Sequence, residues 1–412
     1  MSARILFVSE NIALSQLVRL LVLARSLDPA RYEVHFAASS FDPSLFGETS
    51  FRRWTLPTVE PRLVFEAVEK GRRPYSARHL ERYVEDDLAL IRAVDPHLIV
   101  GDMRLSLAVS APLCSVPYAP LINAYWSPFA LRDGFPMPEH PMVRAVGVER
   151  ASRFYPMVLP RVLAHFAAPL NSVRQKHGLP PVGDLLHMLT HGDFTLYPDV
   201  PELTPVRSDL PARHRFLGPL TWSPDMALPA FWDRLDPGRP LVYATMGSTG
   251  AADKLPAVLA GLGQISADVV VATLGRHPAL AAGERVFFAD LLPGDRVCER
   301  AALVVCNGGA STAYQALAAG VPVLGIPRNF DQYLAMDAIE RAGAGVLLRS
   351  GLLTAEQVSA KALLLLGSTS ARDRASALQK AFRRAPATLR FGQWLEQTLG
   401  PDGRPRRPAA AC

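Results

Sequence analysis

The chain has 412 residues, of which 49% are hydrophobic and 20% are charged, and its formal net charge at pH 7 is +6. This length allows two or three domains, and the apolar fraction excludes a wholly disordered chain. The mild basic excess suits a phosphate-bearing ligand or an anionic membrane surface, whereas the lack of a long basic run disfavours a nucleic-acid partner.

Signals for targeting and for metal binding are weak throughout the sequence. The cysteines form no CxxC pair, and their spacing indicates neither a disulfide framework nor a zinc site. The first predicted strand begins at Arg4 with no leader-like segment before it, and no run of about 18 apolar residues follows. We therefore expect a cytoplasmic protein without a membrane span.

In the first half of the chain, short apolar runs alternate with amphipathic stretches. Strands are predicted at 4–8, 34–38 and 97–102, and helices at 14–27 and 77–94. Such alternation predicts a doubly wound α/β domain, in which the last of these strands delivers Asp102 to the carboxyl edge of the sheet.

Prolines separate the two halves of the sequence. Many of the 36 prolines lie between Pro112 and Pro240, where we expect loops and irregular connections. The alternation then restarts, with strands predicted at 241–246, 269–274, 286–289, 303–306 and 321–326, and helices at 255–266, 311–319 and 335–342. A last helical stretch at 376–399 could pack on either domain.

The predicted organisation is therefore that of two Rossmann-like domains. The boundaries are an N-terminal domain over 1–218, a linker over 219–239, a C-terminal domain over 240–385, a C-terminal helix over 386–400 and a disordered tail over 401–412. Ligands of open α/β sheets bind outside the carboxyl ends of the strands, so a cleft between facing domains is the expected active site.

The stretch from Cys306 to Gln332 carries the most specific signal. Gly308 and Gly309 follow a predicted strand, and the lack of a Cβ lets the backbone approach a ligand closely. Ser311 and Thr312 fall where the next helix starts, so backbone N–H groups and the positive helix end would face an anion such as a diphosphate. On its own, Gly-Gly-x-Ser favours an ordinary capped turn between a strand and a helix.

The continuation of this motif raises its specificity. Gly320-Val321-Pro322 leads into a strand, and Asp331-Gln332 falls at the next helix start, where carboxylate and carboxamide groups suit sugar hydroxyls. In this order the motif resembles the donor-site signature of UDP-glycosyltransferases and of bacterial macrolide and flavonoid glycosyltransferases, which share the GT-B fold. The segment 171–179 resembles a recurring helix that precedes the linker in these enzymes, and the segments 216–219 and 241–248 resemble further parts of them, so the resemblance covers most of the chain.

The resemblance implies a UDP- or dTDP-sugar as donor and no other cofactor. The implied donor-binding residues are Gly247, Ser248, Thr249, Leu292, Asn307, Gly308, Gly309, Ser311, Thr312, Asp331 and Gln332. The first three would lie near the phosphates, the last two would hold the sugar, and the segment 289–294 would line the nucleobase. The ordinary alternatives are a strand-ending turn at 247–248 and a helix N-cap at Asp331. No metal is expected, because the chain has no Asp-x-Asp triplet and helix ends can neutralise the diphosphate.

Three positions depart from the family pattern. Asn307 stands where the family has a His beside the diphosphate. The segment Leu292-Pro293-Gly294 lacks the family's Gln, which leaves uracil, thymine and guanine open as the base. The loop from Ser9 to Gln16 lacks the His that serves the family as general base.

Two carboxylates are candidates for the missing base. Glu10 is the nearest ionisable side chain in that loop, and it is equally well explained as a solvated loop carboxylate. Asp102 matches the Asp that orients the catalytic His in the plant members of the family. Without that His it could act directly as the base or cap a helix, and Arg104 could neutralise it or bind an anionic acceptor.

The predicted acceptor-binding residues are Gln16, Asn123, Tyr125 and Trp126. The aromatic rings could line an apolar pocket, although both are equally suited to core packing. The stretch from Pro136 to Pro141 would correspond to the family's variable acceptor loop. We expect a small amphipathic or lipid-like acceptor, while peripheral membrane contact and the choice between monomer and homodimer stay open.

Three functions are compatible with these features. The favoured one is an inverting, metal-independent glycosyltransferase in which Asp102 or Glu10 activates an acceptor hydroxyl. The alternative is a catalytically degenerate homologue that helps another glycosyltransferase, which the retained Asp331-Gln332 pair disfavours. A sugar-nucleotide epimerase also uses two Rossmann-like domains, but it resembles the Gly-Val-Pro and Asp-Gln spacing less.

Overall fold

The computed structural model of the chain describes residues 2–250, 252–275 and 285–400, so the tail predicted at 401–412 lies outside the described residues. Two compact units are formed. Unit 1 takes the chain up to Arg132, Pro156–Leu220 and the described residues from Ala385 onward, and unit 2 takes Asp133–Tyr155 and Thr221–Arg384. Residues 133–155 thus pack with unit 2, although the predicted boundaries placed them in the N-terminal domain.

Strands and helices alternate along most of the chain. The strands are β1 (Ala3–Ser9), β2 (Tyr32–Ala38), β3 (Arg52–Thr55), β4 (Leu98–Asp102), β5 (Tyr118–Pro120), β6 (Thr195–Tyr197), β7 (His214–Phe216), β8 (Leu241–Thr245), β9 (Asp268–Ala272), β10 (Val286–Ala289), β11 (Ala301–Cys306), β12 (Val323–Gly325) and β13 (Gly345–Leu347). The helices are α1 (Leu14–Arg25), α2 (Pro43–Phe46), α3 (Pro61–Glu69), α4 (Ala77–Val94), α5 (Leu107–Leu113), α6 (Pro141–Val146), α7 (Val148–Lys176), α8 (Leu185–Leu189), α9 (Leu255–Leu262), α10 (Gly294–Arg300), α11 (Ala310–Ala318), α12 (Phe330–Arg341), α13 (Ala355–Gly367), α14 (Thr369–Arg383) and α15 (Ala387–Thr398).

Each unit is built on one parallel sheet. The strand order is β3-β2-β1-β4-β5 in unit 1 and β10-β9-β8-β11-β12-β13 in unit 2, and β6 pairs with β7 in unit 1. All strand pairs in the two larger sheets are parallel, which confirms the predicted α/β class. None of the helices in the described ranges combines the length and hydrophobicity that crossing a bilayer requires.

Apolar side chains cover both faces of the unit 1 sheet. On β1, Phe7 packs on one face, where it stacks on Phe36 at 6.1 Å between ring centroids, while Leu6 lies in the core of the other face. Parallel strands buried on both sides carry continuous hydrophobic runs rather than an alternating pattern. This burial explains why β1 was recognisable as a compact apolar run.

The last predicted helical stretch, 376–399, is interrupted in the structure. It is divided between α14 and α15, with Pro386 as the N-cap of α15. Gly218, at φ +106°, packs so closely on the Ala385 carbonyl that a Cβ there would collide with it. The C-terminal helix predicted at 386–400 corresponds to α15, and the helical stretch is divided because the chain turns at Ala385 and Pro386 to reach Gly218. Helix α15 then packs in unit 1, where Trp394 contacts Phe194 at 5.3 Å between ring centroids.

The expectation of loops throughout 112–240 is wrong for α7, a 29-residue helix with three internal prolines. Proline inside a helix costs about 3 kcal/mol, because it removes a hydrogen bond and crowds the preceding turn. Burial offsets this cost along one stripe of the helix. The buried stripe repeats every four residues at Ala151, Tyr155, Leu159, Leu163 and Ala167. Pro156 and Pro160 lie on the exposed side.

The register of the unit 2 sheet aligns the ends of three strands. Cys306 on β11 pairs with Thr245 on β8 and with Gly325 on β12. Because all three strands run in the same direction, the loops that follow them emerge at one carboxyl edge.

Candidate functional site

At the carboxyl edge of unit 2, three predicted donor-binding residues meet. Thr249 follows β8, Asn307 follows β11 and Gln332 lies in the first turn of α12. The Thr249 hydroxyl accepts from Asn307 Nδ2 at 3.4 Å and from Gln332 Nε2 at 3.2 Å. The fold therefore brings together residues that lie up to 83 positions apart.

Asn307 shapes the loop in front of α11. Its Oδ1 accepts from the Gly309 N–H at 3.1 Å, and its side chain is buried. A Cβ on Gly247, which has φ +60°, would come within 2.9 Å of Asn307 Nδ2. The residue that replaces the family His thus works as a neutral carboxamide that joins the two glycine-containing loops.

Helix α11 begins at Ala310, and its N-cap residue, Gly309, brings no side-chain oxygen to the first turn. The first N–H groups of a helix have no partner within the helix, and together with the helix dipole they favour an anion. Ser311 is exposed and Thr312 half-buried in this turn. Gly308 has φ +74°, and a Cβ there would collide with the Met336 side chain. The predicted turn between strand and helix is therefore present in the geometry that its glycines require, and phosphate binding at this turn stays a prediction.

Helix α12 begins at Phe330, five residues before the predicted start. Its N-cap is Asn329, whose Oδ1 accepts from the Gln332 N–H at 3.0 Å, and Gln332 Oε1 accepts from the Arg328 N–H at 2.8 Å. The alternative role of Asp331 as N-cap is therefore wrong, because Asn329 fills it. Gln332 is only 1% exposed and both ends of its carboxamide are bonded within unit 2, whereas Asp331 is half-buried.

The segment predicted to line the nucleobase is partly buried. Leu292 lies in the protein interior, whereas Leu291 is exposed. A Cβ at Gly294 would come within 2.8 Å of Gln315 Oε1, while Gln315 Nε2 donates to the Trp222 carbonyl at 2.7 Å. Leu291 is thus better placed than Leu292 to contact a ligand.

At the carboxyl edge of unit 1, Asp102 is paired with an arginine that sequence analysis missed. Arg19 on α1 donates from Nε and Nη2 to the two Asp102 oxygens at 3.0 and 2.9 Å, and from Nη1 to Asn123 Oδ1 at 2.6 Å. Asp102 is fully buried, and the Arg19 side chain is 11% exposed. Asp199 accepts from Asn123 Nδ2 at 3.2 Å and from the Ala124 N–H at 2.6 Å, which extends the network.

Glu10 lies in a second buried cluster. Its Oε1 accepts from the hydroxyls of Tyr75 at 3.1 Å and Tyr83 at 2.8 Å, and Oε2 accepts from Arg104 at 3.2 Å. Burial raises the pKa of the Glu10 carboxyl to about 7, against the opposing effects of the Arg104 charge and the two tyrosine hydrogen bonds. Because every oxygen is occupied by a buried donor, a structural role is favoured over the predicted catalytic one.

Arg104 does not neutralise Asp102. It is fully buried, it donates from Nε to Asp87 at 3.0 Å, and its guanidinium lies 3.6 Å from the centroid of the Tyr83 ring. Since Glu10 and Asp87 neutralise its charge inside the protein, Arg104 has neither of the two roles considered for it, neutralising Asp102 or binding an anionic acceptor.

The other predicted acceptor residues have local roles in the structure. Gln16 Oε1 accepts from the N–H groups of Ile12 and Ala13, which caps the start of α1. Tyr125 and Trp126 lie in a short 3-10 turn at Ala124–Trp126 and are buried. Their placement favours core packing over an open aromatic pocket.

Comparison with known proteins agrees with this architecture. The profile of the family "Erythromycin biosynthesis protein CIII-like, C-terminal domain" matches residues 256–395. The chain is 46% identical over 397 residues to a PGL/p-HBAD biosynthesis glycosyltransferase of Mycobacterium tuberculosis (strain ATCC 25177 / H37Ra), covering 96% of this chain and 92% of the relative. It is 44% identical over 406 residues to a PGL/p-HBAD biosynthesis rhamnosyltransferase of Mycobacterium bovis (strain BCG / Pasteur 1173P2), covering 98% and 89%.

Among solved structures, spinosyn rhamnosyltransferase SpnG in complex with thymidine diphosphate superposes with a TM-score of 0.66. The sequences are 21% identical, and the match covers 96% of this chain and 100% of that chain. This likeness concerns the fold, which is GT-B. The identity with the mycobacterial relatives extends over nearly the whole chain, and on that basis the protein belongs to their family of nucleotide-sugar-dependent glycosyltransferases.

Proposed function

We propose that the protein transfers a 6-deoxyhexosyl group from a dTDP- or UDP-linked donor to the hydroxyl of a small amphipathic or lipid-like acceptor, with inversion and without a metal. The observation that carries the donor half is the meeting of the glycine-containing loops at Thr249 and Asn307, beside the start of α11. The name of the 44% identical relative, a rhamnosyltransferase, supports a deoxyhexose. The thymidine diphosphate bound to SpnG supports dTDP.

In this proposal the diphosphate binds at the start of α11, where the helix N-terminus makes the backbone electropositive. Gly247, Gly308 and Gly309 let the two loops pack closely against Asn307 and Met336, and the first N–H groups of α11 would donate to the phosphate oxygens. As the acceptor oxygen bonds to the anomeric carbon, the bond from that carbon to the phosphate oxygen breaks and its electron pair leaves with the diphosphate. Fixed donors that stabilise this developing charge lower the barrier to transfer.

The acceptor proton has to reach a base, and Asp102 is the better placed of the two predicted carboxylates. It ends β4 at the carboxyl edge of unit 1, and its partner Arg19 is slightly exposed, whereas Glu10 is enclosed by two tyrosines and Arg104. Arg19 occupies both Asp102 oxygens, so proton transfer to Asp102 requires the guanidinium to shift. Asp331, half-buried in the first turn of α12, would hold the sugar hydroxyls.

The test is a thermal-shift titration of the purified protein with dTDP, UDP and their sugars, repeated with Asp331→Ala. Asp337→Ala is the matched control, because Asp337 lies on the same helix and pairs with Arg341 at 3.0 Å. A ligand that binds only the folded protein raises its melting temperature. We expect free dTDP to raise the melting temperature of the wild type and of both variants equally. The nucleotide sugar should raise it further only in the wild type and in Asp337→Ala.

Three outcomes would change the proposal. A lack of stabilisation by any nucleotide would overturn the donor site. Donor binding without hydrolysis or transfer to any amphipathic alcohol or phenol would favour the alternative, a helper of another glycosyltransferase. Turnover that falls in EDTA and returns with Mg²⁺ would overturn the metal-independent mechanism.

A further inference from the structure

The segment 135–139 is held in unit 2 by a largely buried polar anchor formed by Glu139, Tyr333 and Arg349. Glu139 Oε1 accepts from the Tyr333 hydroxyl at 2.6 Å, and Tyr333, on α12, is only 1% exposed. Arg349 donates to the carbonyls of Met137 at 2.7 Å and Pro138 at 3.0 Å, and its Nε lies 3.4 Å from Glu139 Oε1. The anchor therefore fixes both the side chain and the backbone of the segment.

The surroundings of the anchor leave it little freedom. The side chains of Arg349 and Glu139 are 15% and 19% exposed, so solvent screens their attraction less than at the surface. Gly351 packs so closely on the Glu139 carboxylate that a Cβ there would collide with it. Such close packing specifies one position for Glu139, and hence one course for the segment.

This course brings Phe135 to the start of α12. Its ring lies 6.0 Å from that of Phe330, centroid to centroid, and the two planes meet at 31°. Phe330 is the first residue of α12 and directly precedes Asp331. Both rings are half-buried, so they form an apolar surface beside the one acidic residue in the first turn of the helix.

We propose that Phe135 and Phe330 form the apolar wall of the donor-sugar subsite and select a sugar with a methyl group, rather than a hydroxymethyl group, on its ring. The inference rests on the proposed function, in which Asp331 holds the sugar hydroxyls. A methyl group gains by leaving water against aromatic rings. A hydroxymethyl group in the same place buries a hydroxyl that two rings cannot satisfy. The Glu139 anchor positions Phe135 and does not itself contact the sugar.

The experiment compares two donors that differ only at carbon 6, dTDP-6-deoxyglucose and dTDP-glucose, by dissociation constant and by the rate of donor hydrolysis or transfer. We expect the wild type to prefer the 6-deoxy donor by about 10- to 100-fold, the range over which apolar pockets reject an added hydroxyl. Phe135→Ala should reduce this ratio to about threefold or less and leave the dissociation constant of free dTDP unchanged. Glu139→Ala should also reduce the preference for the 6-deoxy donor.

The matched control is Phe231→Ala, because Phe231 forms a comparable half-buried pair with Phe287 at 5.3 Å in the same unit. It should keep the wild-type ratio. If neither these donors nor their UDP-linked counterparts bind the wild type, the proposed function fails. If the donors bind but the wild type accepts both equally, or Phe135→Ala keeps the wild-type ratio, the apolar wall is refuted while the proposed function stands.

Discussion

At the carboxyl edge of the unit 1 sheet, charged side chains meet one another, whereas around Thr249 in unit 2 the chain presents glycines and neutral carboxamides. In unit 1, Asp102 is paired with Arg19, and Glu10 with Arg104. In unit 2, the Thr249 hydroxyl is met by the carboxamides of Asn307 and Gln332. The carboxyl edge of one parallel sheet thus carries paired charges, whereas the loops around Thr249 at the other sheet carry neutral hydrogen-bonding groups.

The difference has a physical consequence for ligands. Charges that neutralise one another inside the protein offer little to an incoming anion, and removing them from water is costly unless their hydrogen bonds are complete. The first N–H groups of α11, in contrast, have no partner within their helix, and together with the helix dipole they favour an anion. This difference supports the proposed diphosphate site in unit 2, whereas in unit 1 the buried charged side chains hold one another in place.

The largest expected effect comes from breaking the charge cluster of unit 1 with Arg104→Met. Glu10 and Asp87 would remain buried without their cation, and the loss of one partner from a buried pair costs about 3–5 kcal/mol. Urea unfolding followed by circular dichroism measures this loss. Lys176→Met is the control, since the exposed Lys176–Glu81 pair at 3.0 Å should be worth less than about 1 kcal/mol. Equal losses in both variants would show that burial does not distinguish this cluster.

Next in size is the effect of Asp102→Asn on turnover. If Asp102 accepts the acceptor proton, the variant should lose about 100-fold or more in kcat while binding dTDP normally. Arg19→Gln separates this role from a structural one. Removing the neighbouring cation raises the pKa of a carboxylate, so the acidic limb of the pH–rate profile should move to higher pH. Wild-type turnover in Asp102→Asn would remove Asp102 from the mechanism.

The glycines of unit 2 provide a matched pair for a third prediction. Gly308→Ala should destabilise the protein by about 2 kcal/mol, because φ is +74° and the new Cβ would meet Met336. Gly309→Ala should cost much less, since Gly309 has φ −70° and its Cβ would meet only Asn307 Oδ1, at 3.3 Å. Thermal unfolding without ligand measures both. Similar costs would mean that the loop tolerates a Cβ at either position.

Local pattern was sufficient to predict much of the fold. The predicted helix at 77–94 is confirmed as α4, where Ser76 caps the first turn, and the strand at 286–289 is confirmed as β10. These elements follow from side-chain periodicity and capping, which involve residues a few positions apart. The larger part of helix α7, before residue 171, was missed because internal prolines are read as helix breakers, while the buried stripe that offsets them depends on packing.

The side-chain partners at the two edges could not be predicted in this way. Arg19 lies 83 positions from Asp102, and Glu139 lies 194 positions from Tyr333. No local pattern relates such residues, because only the register of the strands and the course of the loops brings them together. The one signal for Arg19 was a charged residue within the otherwise apolar face of α1.

The smallest expected effect concerns pH and the Glu10 cluster. The Glu10 pKa is raised from 4.5 to about 7, so the folded protein binds a proton there that the unfolded chain has released. Stability from this group is therefore lost as the pH rises through 7, by about 1 kcal/mol between pH 6 and pH 8. Glu10→Gln should remove this contribution. The unfolding free energy of the variant minus that of the wild type should therefore increase from pH 6 to pH 8. Urea titrations of both proteins at pH 6, 7 and 8 measure the difference. Parallel pH profiles would mean that Arg104 keeps Glu10 ionised throughout, and the cluster of unit 1 would then be a permanently charged network.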